Sequence, residues 1–305
     1  MTVRSMKTSE KRGALVLFSI GAVPLCLSAA ASAVSFGAAM QETSTERLNE
    51  RSRELGAAVA SWVEDRESFT RVLAHHPGLL DLPPERKLEL LRSATQHYRG
   101  AATISLIGPD GEQLVRSDGQ PLQRLGDRAY FKKARAGEAG FEMVLRRADR
   151  EPSLILAAPL EGGAEGEHHV LILSTSAAEL TRLVSAFDRE PGSAFILDAA
   201  NRIVAHSDRS RLFADMTESH LARALSAQAS ADVTYIDEGG QRWAAAHATI
   251  LHGLRAVVQE PQRAARRRLS GALAISACVL AGLLFALGWV TWYLSRASRR
   301  LSSGP

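Results

Sequence analysis

Cysteine is scarce in this chain, which has only Cys26 and Cys278 among its 305 residues. Both lie inside long runs that have no charged residue, so the stretch between those runs, residues 42–268, contains no thiol. A disulfide and a metal site with cysteine ligands are therefore excluded from that stretch.

The motifs of several large enzyme classes are also missing. The chain has no P-loop, no dinucleotide-binding glycine fingerprint, no G-x-S-x-G turn and no C-x-x-C pair. Two histidine pairs, at 75–76 and 168–169, lack the H-x-x-x-H spacing of a helical zinc site, and adjacent residues of a strand point to opposite faces. We therefore predict a protein that is not an enzyme and has neither a cofactor nor a metal.

The chain has no large excess of charge of either sign. It has 37 lysines and arginines and 33 aspartates and glutamates, which gives a net charge of +4. Much of the arginine lies beside the two charge-free runs, which is typical of membrane flanks. Basic residues do not alternate with aromatic ones as they do in a base-stacking groove. No nucleic-acid partner is expected.

The charge-free runs themselves are long enough to cross a bilayer. At ~1.5 Å rise per residue, each exceeds the ~30 Å hydrocarbon core. We predict one transmembrane helix at residues 13–40 and a second at 269–294. The lipid bilayer is therefore an expected partner.

A cleaved signal peptide is the alternative for the first run, because basic residues precede it and the A-x-A sequence at 31–33 resembles a cleavage site. The basic flank predicts a cytoplasmic N-terminus at 1–12, an extracytoplasmic region at 41–268 and a short cytoplasmic tail at 295–305.

The region between the predicted spans divides into a helix and two modules. Residues 43–75 have the apolar spacing of one long amphipathic helix. A distal module at about 84–187 and a proximal module at about 193–260 follow, and each contains a strand, a polar turn and a second strand. A Ser-Asp pair ends this unit in both modules, at 117–118 and at 207–208.

The stretch that begins GDRAYFKKARAG has the clearest local organisation. Asp127 is an acceptable helix N-cap, Tyr130 and Phe131 begin an apolar helical face, and two glycines end the helix. The apolar runs at 141–145 and 153–160 then predict a β-hairpin.

The pattern D-R-x-Y-F-x-x-A-x-x-G, followed by a hairpin and a strand ending in A-A-P, resembles the double Cache (dCache) family of extracytoplasmic sensor domains. These domains occur in bacterial membrane sensor kinases, nucleotide cyclases and chemoreceptors. The resemblance implies an α+β fold with two PAS-like modules behind a long N-terminal helix, flanked by two transmembrane helices. It also implies a location in the bacterial inner (plasma) membrane, with the sensor domain outside the cytoplasm.

The resemblance also implies a ligand site in the distal module. In dCache domains that bind amino acids, the arginine of an R-x-W-Y motif takes the ligand carboxylate, and a later aspartate takes the ammonium. This chain has R-A-Y-F at the motif, so Arg128, Tyr130 and Phe131 are expected to contact the ligand. The alternative is that Arg128 pairs with Asp127 or Asp149 and only fixes the junction between helix and hairpin.

The expected position of the aspartate is occupied by the sequence LILSTS, which includes Ser174. A buried ammonium without a carboxylate is costly, so we expect a carboxylate or another small anion, or an uncharged ligand, rather than an α-amino acid. Arg146 adds positive charge, and strand alternation allows only one of Arg146 and Arg147 to face the site. Arg146 and Ser174 complete the predicted ligand contacts.

We therefore expect a two-pass membrane receptor that relays ligand binding to an output domain outside this chain, through a cytoplasmic signalling partner. The resemblance also makes a homodimer through the long helix plausible. Two alternatives are a ligandless structural subunit of a membrane signalling complex, and the truncated front of a sensor histidine kinase, diguanylate cyclase or chemoreceptor. The structural subunit predicts an exposed apolar patch rather than a polar pocket at Arg128.

Overall fold

The computed structural model describes residues 44–98, 100–146, 152–160, 168–188, 190–227, 232–263 and short helical pieces between 277 and 293. Arg47–Pro261 form one compact unit, and the remaining residues belong to a second unit. The fold of the first unit is described below, because it contains the two sheets.

Helix α1 covers residues 44–74. Its apolar residues recur every three or four positions, which places them on one face, and that face is buried. Gly78, at a φ of 71°, lies in the turn that follows the helix. The largest buried apolar side chains of α1 are Leu48, Leu55, Val59, Trp62, Val63 and Leu73.

The first module contains a five-stranded antiparallel sheet with the strand order β2-β1-β5-β4-β3. Its elements are α2 (Pro84–His97), β1 (Ala101–Ile107), β2 (Gln113–Arg116), α3 (Ala129–Arg135), β3 (Gly140–Leu145), β4 (Pro152–Leu160), β5 (His169–Ser176) and α4 (Ala178–Phe187).

The second module repeats this topology, with the strand order β7-β6-β10-β9-β8. Its elements are β6 (Ser193–Leu197), β7 (Ile203–His206), α5 (His220–Ala227), β8 (Asp232–Ile236), β9 (Arg242–Thr249) and β10 (Arg255–Pro261), with 3-10 turns at Arg209–Arg211 and Leu251–Gly253. In both modules, two strands precede a short helix and three strands follow it.

Each sheet has two differently covered faces, because side chains alternate along its strands. One face of both sheets packs into a single apolar core with α1, where Ile104 and Leu106 of β1 meet the buried stripe of the helix together with Ile196 of β6. The opposite face of the first sheet packs against α3, and that of the second sheet packs against α5.

The predicted α+β architecture, with a long helix followed by two antiparallel sheets, is confirmed. The predicted span at 13–40 lies outside the described residues, and most of the span at 269–294 does too. Among the residues that can be described, no helix combines the length and hydropathy needed to cross a bilayer. The two-pass topology stays a prediction.

Candidate functional site

A pocket of about 620 Å³ lies on the α3 side of the first sheet. This volume is in the range of small-molecule sites. Its residues come from all five strands, from the segment after β2 and from the start of α3. The pocket is lined by Ala102, Thr103, Ser105, Gln113, Arg116, Asp118, Gln120, Pro121, Gln123, Leu125, Arg128, Tyr130, Val144, Leu145, Arg146, Ile155, Ile172 and Ser174.

Strand alternation explains why polar side chains collect here. Ile104 and Leu106 point from β1 into the shared core with α1, so Thr103 and Ser105, which alternate with them, point into the pocket. On β5, Leu173 points to the core and Ser174 to the pocket. The pocket face of the first sheet is therefore partly polar, although the strands themselves are mostly apolar.

Arg128 occupies the N-cap position of α3, with φ −76° and ψ 136°. The prediction that Asp127 caps this helix is wrong, because the backbone leaves the helical region only at Arg128. Arg128 has no side-chain oxygen, and the helix has no side-chain cap hydrogen bond. The predicted alternative, in which Arg128 pairs with Asp127 or Asp149, stays a prediction, and Asp149 lies outside the described residues.

Polar side-chain atoms at and near the pocket lack hydrogen-bond partners within the described part of the chain. The Nε atom of Arg128 is buried and has no hydrogen-bond partner among the described residues. The Oγ atoms of Ser174, which lines the pocket, and of the fully buried Ser153 on the neighbouring strand β4 are in the same condition. Buried polar atoms without partners are uncommon, and Arg128 and Ser174 line the pocket, whereas the Nε of Arg66 in α1 shows the same condition away from it.

The second module has a different residue at the position of Arg128. The amide N–H of Arg128 donates to the Leu125 carbonyl at 3.0 Å, and that of Ser219 donates to the Met216 carbonyl at 2.9 Å, so the two turns correspond. Ser219 lies immediately before α5, and its Oγ accepts a hydrogen bond from the Ala222 amide at 3.1 Å. The second module therefore has an ordinary serine cap where the first has an arginine that lines a pocket.

Asp118 is a pocket carboxylate, but its hydrogen-bonding capacity is already used. Arg116 donates to its two oxygens at 3.0 and 2.6 Å, and the Thr103 hydroxyl and the Gln120 amide donate at 3.1 Å each. Burial raises the pKa of Asp118, but these hydrogen bonds and the charge of Arg116 outweigh it and hold the pKa below its usual value. The carboxylate is thus ionised and saturated.

The structure brings together four of the five predicted contact residues, since Arg128, Tyr130, Arg146 and Ser174 all line the pocket. Phe131 does not. It is 1% exposed and packs in the apolar cluster beneath α3, because successive helical residues point ~100° apart. The prediction that Phe131 contacts a ligand therefore has no support from the position of its ring.

The sequence reasoning missed the polar residues of the β1–β2 hairpin. Ser105, Gln113 and Arg116 all line the pocket, and the Gln113 amide donates to the Ser105 hydroxyl at 3.2 Å. The repeated Ser-Asp pair was a usable signal, because Asp118 belongs to it.

Solved structures with a similar fold are ligand-binding domains of bacterial sensors. The domain of the Campylobacter jejuni chemoreceptor Tlp3, solved with 4-methylisoleucine, is 15% identical, with a TM-score of 0.60 over 74% of this chain and 94% of that one. The domain of the Pseudomonas fluorescens chemoreceptor CtaA, solved with L-serine, is 16% identical, with a TM-score of 0.60 over 73% and 99%. The extracellular domain of the putative histidine kinase soHK1S-Z6 is 16% identical, with a TM-score of 0.57 over 75% and 98%.

At these identities the likeness shows the fold alone, which is a long helix followed by two modules with one sheet each. The family model of the Cache domain, in its double form, matches residues 36–269. The chain therefore belongs to the Cache domain family, as the sequence pattern predicted. No protein with a curated description matches the chain by sequence.

Proposed function

We propose that this chain is a membrane-bound sensory receptor whose first module binds a small anion, with a carboxylate as the favoured group. The ligand pairs with the guanidinium of Arg128, and its binding is relayed to an output outside this chain. The observation that carries this proposal is Arg128 itself. It lines a pocket of about 620 Å³ and has a buried Nε without a partner among the described residues.

The position of Arg128 supports a functional role, because another residue would stabilise the fold better. Arginine is a poor N-cap, and replacing a good cap costs about 1 kcal/mol of stability. The second module has Ser219 at the equivalent position, where its hydroxyl accepts from the helix. Departures from local structural preference are expected at functional sites.

The charge of the pocket supports an anion. Three arginines, Arg116, Arg128 and Arg146, line it together with one carboxylate, Asp118. Arg116 and Asp118 form a salt bridge of 2.6 Å with each other, so Asp118 cannot receive a ligand ammonium without losing that pair. The relatives solved with 4-methylisoleucine and L-serine bind molecules that carry an ammonium. We expect this pocket to prefer acids without one.

Two observations support the membrane part of the proposal. The family places such domains outside the cytoplasm, and the charge-free run at 269–294 follows the last strand, β10, in the sequence. Helical residues described within that run expose large apolar side chains, among them Phe285 at 74% and Trp289 at 59%. Such surfaces are stable in a bilayer. A relay through this run needs a coupling of only ~1–3 kcal/mol.

A thermal-shift screen of residues 41–268 tests the binding step. Mono- and dicarboxylates, phosphate, amino acids and polyamines are added to the wild type and to Arg128→Ala. A ligand at a hundred times its dissociation constant adds ~2.7 kcal/mol to stability, which is visible as a higher melting temperature. Arg124→Ala is the matched control, because Arg124 is exposed and lines a different depression.

A shift with a carboxylate that disappears in Arg128→Ala and persists in Arg124→Ala would establish the site. A shift with an amino acid alone would overturn the anion preference but keep the sensor. No shift with any probe, from a fragment that unfolds cooperatively, would favour the ligandless structural subunit.

A further inference from the structure

Two buried polar side-chain atoms of the pocket lack a hydrogen-bond partner among the described residues. One is the Nε of Arg128, which is cationic, and the other is the Oγ of Ser174, which is neutral. The carboxylate proposed above pairs with Arg128 and leaves the Ser174 hydroxyl without a role. This hydroxyl therefore indicates a second group on the ligand.

The neighbours of Ser174 on the sheet do not bond to it. Ser174 lies on β5, the middle strand of the five, opposite Thr103 of β1 and Ile155 of β4. The Ile155 side chain has no polar atom, and the Thr103 hydroxyl donates to Asp118 at 3.1 Å. The Ser174 hydroxyl therefore faces the pocket from a rigid central strand, beside one apolar side chain and one hydroxyl that is already used.

Other polar side chains of the pocket are bonded to one another. The Gln113 amide donates to the Ser105 hydroxyl at 3.2 Å, and its Oε1 accepts from the Gln123 backbone amide at 2.8 Å. The carboxylate of Asp118 is saturated, as described above. A ligand that bound these groups would have to displace existing hydrogen bonds. A ligand that bound Ser174 would instead satisfy an atom that has no partner in the described part of the chain.

The chemistry of a serine hydroxyl defines the matching group. A hydroxyl both donates and accepts hydrogen bonds and carries no charge, so a ligand hydroxyl is its natural complement. An ammonium would be buried beside Ser174 without a carboxylate, which is costly. A bare hydrocarbon would leave the Ser174 Oγ buried without a partner, which is also unfavourable.

We propose that the ligand is a small hydroxy acid whose hydroxyl group bonds to the Ser174 Oγ, which rests on the proposed function because Arg128 must take the carboxylate. The apolar side chains of Val144, Ile155 and Ile172, which also line the pocket, contact the carbon chain. Ser174 is then a specificity-determining residue. It selects a hydroxy acid over the amino acid and the unsubstituted acid of the same length.

Titration calorimetry of the full-length chain in detergent compares each hydroxy acid with the acid that lacks only its hydroxyl. The pairs are lactate and propionate, 3-hydroxybutyrate and butyrate, and malate and succinate. At least one hydroxy acid should bind roughly three- to ten-fold more tightly than its partner, because one hydrogen bond between neutral groups is gained. The corresponding amino acids should bind more weakly than the hydroxy acids.

Ser174→Ala should remove this preference, so that both acids of a pair bind the variant with similar affinity. Cooperative thermal unfolding checks that the variant is folded. Ser176→Ala is the matched control, because it makes the same change two residues along β5. The Ser176 Oγ accepts from the Ala178 amide at 3.2 Å, and Ser176 is not among the residues that line the pocket. This control should keep the full preference.

The possible failures are distinguishable. Equal binding of the two acids of every pair, with binding lost in Arg128→Ala, would overturn the hydroxy-acid proposal and leave the carboxylate site. A preference that survives in Ser174→Ala, or tighter binding of an amino acid than of its hydroxy acid, would also overturn it. If none of the acids binds a chain that unfolds cooperatively, the proposed function fails and the hydroxy-acid proposal fails with it.

Discussion

The two modules share one strand order but use the equivalent face of the sheet in opposite ways. Ser105 of β1 lies opposite Arg116 of β2, and Phe195 of β6 lies opposite His206 of β7. The equivalent residues are thus polar and pocket-lining in the first module. In the second, Phe195 and His206 are buried, and their rings stack with centroids 5.9 Å apart.

The same contrast continues across the sheet. In the second module, Tyr235 donates to the Gln259 Oε1 atom at 2.6 Å, and Gln259 donates to the Ser193 Oγ at 3.0 Å. By register, the first module has Val144, Ser174 and Thr103 at these three positions. In the second module, long side chains extend across this face of the sheet. In the first module, shorter side chains leave space for the pocket. Side-chain length, not topology, therefore makes the pocket.

The largest expected effect comes from giving the first module the side chains of the second. Val144→Tyr with Ser174→Gln should fill the pocket with a tyrosine–glutamine pair and abolish ligand binding, because the ligand and the new ring need the same space. Titration calorimetry with the carboxylate found in the screen measures this. Leu114→Tyr, which adds a ring at an exposed position of β2 outside the pocket, should bind normally. Unchanged binding by the double variant would mean that the ligand site lies elsewhere.

The next effect comes from exchanging the helix caps. Arg128→Ser should weaken ligand binding by roughly ten- to a hundred-fold, because a charge-assisted hydrogen bond contributes ~1.5–3 kcal/mol. It should also raise the free energy of unfolding by about 1 kcal/mol, since serine can cap α3. Urea unfolding gives the stability and calorimetry the affinity.

The reciprocal change Ser219→Arg removes a cap and should lower the free energy of unfolding by about 1 kcal/mol. Ser219→Ala should lose a similar amount, which separates the missing cap from any effect of the added charge. If Arg128→Ser proves less stable than the wild type, Arg128 has a structural role and the functional argument fails.

The smallest expected effect concerns how the free energy of unfolding changes as the pH is lowered. Burial, and then the charge of Arg211, lower the pKa of His206 below its ordinary value. The unfolded chain then binds a proton more readily than the folded one, so this contribution to stability is present at neutral pH and falls as the pH drops below ~6.5. Asp118, beside the equivalent Arg116, has a lowered carboxylate pKa, so its contribution is lost only in stronger acid.

His206→Asn should therefore reduce the loss of stability between pH 7.5 and pH 5.5, because the amide oxygen can accept the Asp208 N–H that Nδ1 accepts at 2.8 Å. Urea unfolding at the two pH values measures it. A His206→Asn variant that loses as much stability between the two pH values as the wild type would contradict the assignment.

Local sequence patterns predicted the elements well, because each depends on near neighbours. The stripe of α1 and the helix with Tyr130 follow from helical spacing alone. The predicted N-cap of α3 was wrong. The prediction used side-chain preference, which favours Asp127. The backbone of this turn is instead fixed by contacts with the β1–β2 hairpin, where the Leu125 amide donates to the Gly111 carbonyl at 2.8 Å.

The candidate site was less predictable, because its walls come from distant parts of the chain. Arg128 and Ser174 were found by resemblance to a motif. Gln113 and Ser105 could be assigned only after the register of β1 against β2 and β5 was known. The remaining features of the site depend on the conformations of individual side chains. The register cannot show that the hydrogen-bonding capacity of Asp118 is used, because that depends on the rotamer of Arg116.

The single apolar core behind both sheets has a consequence for biosynthesis. α1 leaves the ribosome first, yet its buried stripe packs against residues as late as Val258 of β10. β10 lies between β6 and β9, so the second sheet is incomplete until the last strand is made. Until the second module is made, the part of α1 around Gly56, which lies against Ala248 and Ala256, exposes surface that has no native partner. This helix is therefore the segment that chaperones are expected to hold, and neither module is expected to fold when expressed alone.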